Sequence, residues 1–158
     1  MNAEKMSWNI ASYILLPLVA VLISCATVGQ GGIQGELDQA RSRWRVARPS
    51  SYSYIYRLSC FCPRELTEPV LITVRNATVD KVVYANTGQP VDPQHLQHFH
   101  TVDKLFDMLQ DAINRKPHEM AVSYDLNYGY PTSATIDYSE MMADEEMRFT
   151  ADSLNPVE

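Results

Sequence analysis

The sequence has no glycine-rich phosphate loop, no Gly-x-Ser-x-Gly nucleophile turn and no His-Glu-x-x-His pair. Each of those patterns fixes backbone donors, a nucleophile or metal ligands at the spacing its chemistry needs. No Ser, His and Asp set stands in a recognisable context either. An enzyme is not excluded, but nothing positive argues for one. Positive charge is also short. Thirteen Lys and Arg against 19 Asp and Glu leave a net charge of −6 over 158 residues, with no basic stripe. Phosphate backbones repel such a domain, so nucleic acid is a poor partner. Long apolar runs are limited to one, residues 10–23, and that one contains Pro17. A membrane-spanning helix needs about 20 apolar residues.

What is present supports one packed domain. The hydrophobic fraction is 46% and the charged fraction 20%, which suits a folded core and argues against gross disorder. The length fits a single domain.

The run at 10–23 follows a short polar stretch with Lys5 and precedes a small residue. That arrangement reads as a secretory signal, residues 1–24. Its end, Leu22-Ile23-Ser24-Cys25, resembles a lipobox, the pattern of bacterial lipoproteins. The resemblance implies a thioether-linked diacylglycerol on Cys25, cleavage after Ser24, and acylation of the new amino group by a chain such as palmitate. Two or three acyl chains anchor durably, where one gives only marginal binding. Ala26 stands where Asp would retain an enterobacterial lipoprotein at the inner membrane. The expected address is therefore the cell envelope, at the outer membrane and facing the periplasm. Removing the first 24 residues leaves the charge at −6, since Glu4 and Lys5 go together.

Glycines at 29, 31, 32 and 35 predict a flexible tether over residues 25–36, followed by a single α+β domain over 37–155. Leu37, Ala40, Trp44 and Ala47 recur at helical spacing, and Pro49 stops that helix. Tyr52, Tyr54, Tyr56, Leu58 and Cys60 alternate with Ser53, Ile55, Arg57 and Ser59, the period of a strand. The tyrosine stripe is the packed face of a sheet, or alternatively an aromatic platform for a ligand. Residues 63–68 form a loop. Strands over 70–75 and 78–84 flank Asn76-Ala77, a two-residue hairpin turn in which Ala77 would be strained. Residues 87–100 form a loop. Thr101 caps a second helix whose apolar face is Val102, Leu105, Phe106, Leu109, Ala112 and Ile113. Trp44, Phe106, Leu109 and Ile113 should be buried against the sheet. Strands follow over 119–126, 132–138 and 146–154, with Tyr128-Gly129-Tyr130-Pro131 as a turn.

The predicted order is helix, three strands, helix, three strands. It suggests a duplicated unit of antiparallel sheet with helices on one face. By analogy of fold alone, such units are similar to secreted inhibitor-like and outer-membrane-assembly accessory domains.

Three constellations could carry chemistry. His95, His98 and His100 lie close together, with His118 further on. Imidazole suits zinc or copper, but His-x-x-His-x-His matches no metal motif with a known mechanism, and a proline-bounded loop is a natural place for solvated side chains. Asp125, Asp137, Asp144, Glu145 and Glu146 form the acidic set. Asp125 and Asp137 could meet across neighbouring strands to bind calcium or act as acid and base. The blander role is hydrogen bonding to turn amides. Finally, Cys60 and Cys62 are the thiols left once Cys25 is lipidated. An oxidising compartment favours a bridge. In a flat strand their Cα atoms would lie about 6.6 Å apart, near the upper limit for a disulfide. A bend at Pro63 would shorten that span. Two buried thiols and a thiolate metal site are the alternatives.

Several separated motifs then agree in order: Cys60-Phe61-Cys62-Pro63, Thr-Gly-Gln-Pro-Val-Asp over 87–92, Leu105-Phe106 with Gln110-Asp111-Ala112-Ile113, Tyr128-Gly129-Tyr130-Pro131-Thr132, Asp137-Tyr138, and Ala143-Asp144-Glu145-Glu146. Together they resemble an uncharacterised family of bacterial secreted proteins and lipoproteins, a domain of unknown function, over about residues 40–155. Ala77 stands where the family's glycine is expected. The resemblance implies no activity, cofactor or catalytic residue. The expectation is thus a lipid-anchored, non-catalytic binding or accessory module for an unidentified envelope protein or component, with no cofactor. The alternative is a redox or metal-handling lipoprotein using Cys60, Cys62 and the His95–His100 loop.

Overall fold

The computed structural model describes residues 30–139 and 146–158. Cys25 with the lipobox-like residues before it, the segment expected as a signal, Asp144 and Glu145 lie outside the described residues.

Helix α1 spans Gln30–Ala47. The tether expected over 25–36 is therefore helical from Gln30 onward. Gly31, Gly32 and Gly35 lower intrinsic propensity, but long-range contact holds the first turns. The Gln34 and Gln110 side-chain amides exchange hydrogen bonds at 2.8 and 3.0 Å, and Leu37, Ala40 and Trp44 are buried.

Strand β1 covers Tyr52–Ser59, a short helix α2 covers Arg64–Thr67, and strands β2 and β3 cover Val70–Arg75 and Thr78–Tyr84. A 3-10 helix at Pro93–His98 precedes helix α3, Val102–Asn114. Strands β4, β5 and β6 cover Glu119–Tyr124, Pro131–Asp137 and Met147–Pro156. All six strands form one antiparallel sheet in the order β3-β2-β1-β6-β5-β4. The α+β class holds. The simple alternation of one helix with three strands does not, because α2 and the 3-10 helix fall inside segments expected as loops.

Nor are the halves copies of one another. The strand after α1 is central, whereas the strand after α3 is an edge. Alternating antiparallel pairing also makes β4 run opposite to β1. A shift along the sheet that laid β4–β6 on β1–β3 would oppose every strand direction, so no duplication is visible in the topology.

The core lies on one face of the sheet. Tyr52, Tyr54, Tyr56, Ile72, Val74, Ile136 and Phe149 are buried there with Trp44, Phe106 and Leu109 from the helices. Ile113, near the end of α3, is only partly buried. The aromatic-platform reading fails, since the three tyrosines are at most 3% exposed. Their rings run in series from Trp44 to Phe149, with neighbouring centroids 5.3 to 6.4 Å apart.

The registers also fix the two ends of the molecule. Ser59 and Thr135 both pair with Arg148, so β1 and β5 finish at the same end. Arg115, just past α3, stacks on the Tyr138 ring at that end. Gln34, near the start of α1, reaches Gln110 in the last turns of α3. The start of α1, the end of α3 and the Cys60–Cys62 segment therefore share one end. Turn 125–130 lies at the other.

Candidate functional site

Alternation in each strand gives the sheet a second face. Ser53 lies opposite Thr73, Ile55 opposite Leu71, Arg57 and Ser133 opposite Thr150, and Thr135 opposite Arg148. None of these side chains is buried. A sheet with helices on one face commonly leaves the other solvated. Here the solvated face is six strands wide and rich in Ser and Thr, which both donate and accept hydrogen bonds. The signal for it is the polar half of the Tyr52–Ser59 alternation.

The edges differ. At β3, Gln89–Val91 turns back along the strand: Tyr84 N–H donates to the Gln89 carbonyl at 2.9 Å and Val91 N–H to the Val82 carbonyl at 3.3 Å. Among the described residues, nothing pairs with the outer edge of β4.

Cys60 and Cys62 come together in position for a disulfide, with Cα atoms 5.2 Å apart. Strand β1 stops at Ser59, and the chain bends before Pro63, which supplies the shortening that a flat strand lacks. Phe61, between them, is 88% exposed.

The histidines do not converge. The His95 and His98 rings are 6.5 Å apart on the 3-10 helix. His100 is half-buried, and its backbone carbonyl accepts the hydroxyl hydrogen of Tyr54. Burial first, then the charges of Lys104 and His98, hold the His100 imidazole below its ordinary pKa. His118 lies beyond α3 and is exposed. No group of three or more His, Cys, Asp or Glu side chains is placed to hold a metal ion among the described residues.

The carboxylates do not pair either. Asp137 lies opposite Glu119 at one end of the β4–β5 hairpin, and Asp125 follows Tyr124 at the other. The register separates them by the length of the strands. Asp125 instead accepts hydrogen bonds from the backbone N–H groups of Asn127 and Tyr128, at 2.9 and 2.6 Å. Asp137 accepts one from the Ser139 N–H at 2.9 Å. Both are turn-forming roles. Glu146 pairs with Arg148 at 3.0 Å on the surface.

The class of protein that the fold defines is a one-sheet α+β domain with a solvated polar second face. A family model described as a family of unknown function, DUF6174, matches residues 36–156. The chain belongs to that family. Comparison with curated proteins and with solved structures finds no match.

Proposed function

We propose that this is a lipid-anchored envelope protein, tethered through Cys25, whose domain binds an envelope protein or component without catalysing a reaction. The single observation that supports binding is the solvated sheet face carrying Ser53, Thr73, Ser133, Thr135 and Thr150 around Ile55 and Leu71. Rigid strands hold those groups in fixed register, and a polar surface with a small apolar centre suits reversible recognition. The anchoring part rests on the lipobox-like Leu22-Ile23-Ser24-Cys25 after an apolar run. No helix among the described residues is long and apolar enough to cross a membrane.

A photo-crosslinking residue placed at Thr73 or Thr150 tests the binding part in intact cells, with Asp111 on α3 as the control position. The expected result is a reproducible adduct from the sheet face that is absent from Asp111 and lost in Cys25→Ser. Equal labelling from both faces would overturn the assignment of the sheet face.

A further inference from the structure

Phe61 is held at the tip of the Cys60–Cys62 bridge, with 88% of its surface exposed. A single exposed apolar side chain is ordinary. What sets Phe61 apart is where it sits relative to the anchor. The bridge follows the end of β1, at the same end as the start of α1, by the registers and helix contacts given above. Because α1 begins at Gln30, four residues, 26–29, lie between it and Cys25. The five steps from Cys25 to Gln30 span at most about 17 Å fully extended. A lipid on Cys25 would therefore hold this end of the domain close to the bilayer, with no long tether to let it stand away.

We infer that Phe61 docks into the bilayer surface beside the lipid anchor, setting the orientation of the domain. The occupant is the headgroup–acyl boundary of the membrane that holds Cys25, so the inference rests on the lipid anchoring proposed above. Charge does not drive the contact. Arg57 and Arg64 are exposed close to the tip, but Arg64 is paired with Glu68 at 3.0 Å and Glu65 is exposed beside it. An aromatic ring buried at the interface supplies the attraction, and docking should occur on zwitterionic lipid. With this end on the membrane, the strands stand away from the bilayer and the open sheet face stays accessible from the side.

The test uses full-length protein matured in cells, purified with its acyl chains and reconstituted into phosphatidylcholine vesicles with and without brominated chains. Phe61→Trp is compared with Leu126→Trp, which is equally exposed, at 86%, but lies at the opposite end. Intact mass reports acylation independently. The expected result is emission from Phe61→Trp that is blue-shifted and quenched by brominated lipid, with Leu126→Trp unaffected. Acylated protein in which the Phe61→Trp signal is unquenched, or both signals are quenched equally, overturns the docking while leaving the anchor intact. Protein without acyl mass overturns the anchor and the docking together.

Discussion

The Tyr52 hydroxyl accepts a hydrogen bond from the backbone N–H of Val102 at 3.0 Å. Val102 is the first residue of α3, and its N–H has no partner within the helix. A strand side chain thus satisfies a helix terminus, while Thr101 accepts from Lys104 N–H at 3.2 Å two positions further in. Tyr52→Phe leaves a buried donor unsatisfied and should cost about 1–3 kcal/mol. Burial pushes the Tyr52 phenol up to about 12, against the Val102 N–H, which favours the phenolate. The unfolded phenol titrates near 10. Between those values the folded state binds more protons, so stability is fully present below pH ~10 and is lost as pH rises towards 12. Denaturant melts across that range should fall less steeply for Tyr52→Phe than for wild type. A parallel decline would remove Tyr52 from the alkaline response.

Gly129 meets α1 backbone to backbone. A Cβ at Gly129 would lie 2.6 Å from the Ala40 carbonyl oxygen and 2.9 Å from the Arg43 Cβ, and φ there is +83°. The close approach lets the 125–130 turn cover Trp44, whose ring meets Tyr130 at 6.5 Å. Gly129→Ala combines left-handed backbone strain with overpacking and should cost ~2–4 kcal/mol. Thermal unfolding of this variant at the wild-type midpoint would mean that α1 moves away easily.

Ala77 is the opposite case. It sits in the hairpin turn at φ 60°, next to Asn76 at φ 49°, the pair of positive φ values that a two-residue turn requires. The left-handed region costs an alanine roughly 1–2 kcal/mol, which glycine avoids at the expense of a more flexible unfolded chain. Ala77→Gly should therefore stabilise the protein, by about 1 kcal/mol. A lower denaturation midpoint would contradict this.

His100 supplies the acid limb. Its imidazole is held below the ordinary value of 6.5, first by burial and then by Lys104 and His98. The unfolded state therefore binds more protons between the folded pKa and 6.5. Its contribution is present above pH ~6.5 and is lost as pH falls through that window. His100→Asn should flatten the decline in melting temperature just below pH 6.5. An unchanged slope would assign the decline to other groups.

Local signals carried most of the fold. The period-two run at Tyr52–Ser59, the Thr101 cap and the Asn76-Ala77 turn each follow from short-range chemistry, and each element formed where that chemistry put it. Tertiary contact decided the rest. Gln34 meeting Gln110 made a helix of a glycine-rich segment. Strand order is set by which pairs bury Tyr56 beside Ala151 and Leu58 beside Phe149, and no local pattern records it. The acidic and histidine groups looked adjacent in sequence, yet strand register sent Asp125 and Asp137 to opposite ends. The open face was legible as the polar half of a strand, but its width depends on pairing across six strands.

The Cys60–Cys62 pair gives the last prediction. Intact mass of the oxidised, unreduced protein should be lighter by one pair of hydrogens than the reduced form, with no thiol open to alkylation. The reason is geometric as well as chemical: the bend after Ser59 brings the Cα atoms to 5.2 Å, inside the range a disulfide spans, and the export proposed above would place the pair in a compartment that oxidises thiols. The ring it closes is very small, so it constrains little of the unfolded chain. Cys60→Ser with Cys62→Ser should destabilise by less than the ~3 kcal/mol expected of a 15-residue loop. Leu58 and Cys62 pack against the core edge, which limits the loss further, because Leu58 stays in place. Two alkylatable thiols in freshly isolated protein would refute the bridge. A much larger loss of stability would show that the pair organises β1 itself rather than only its tip.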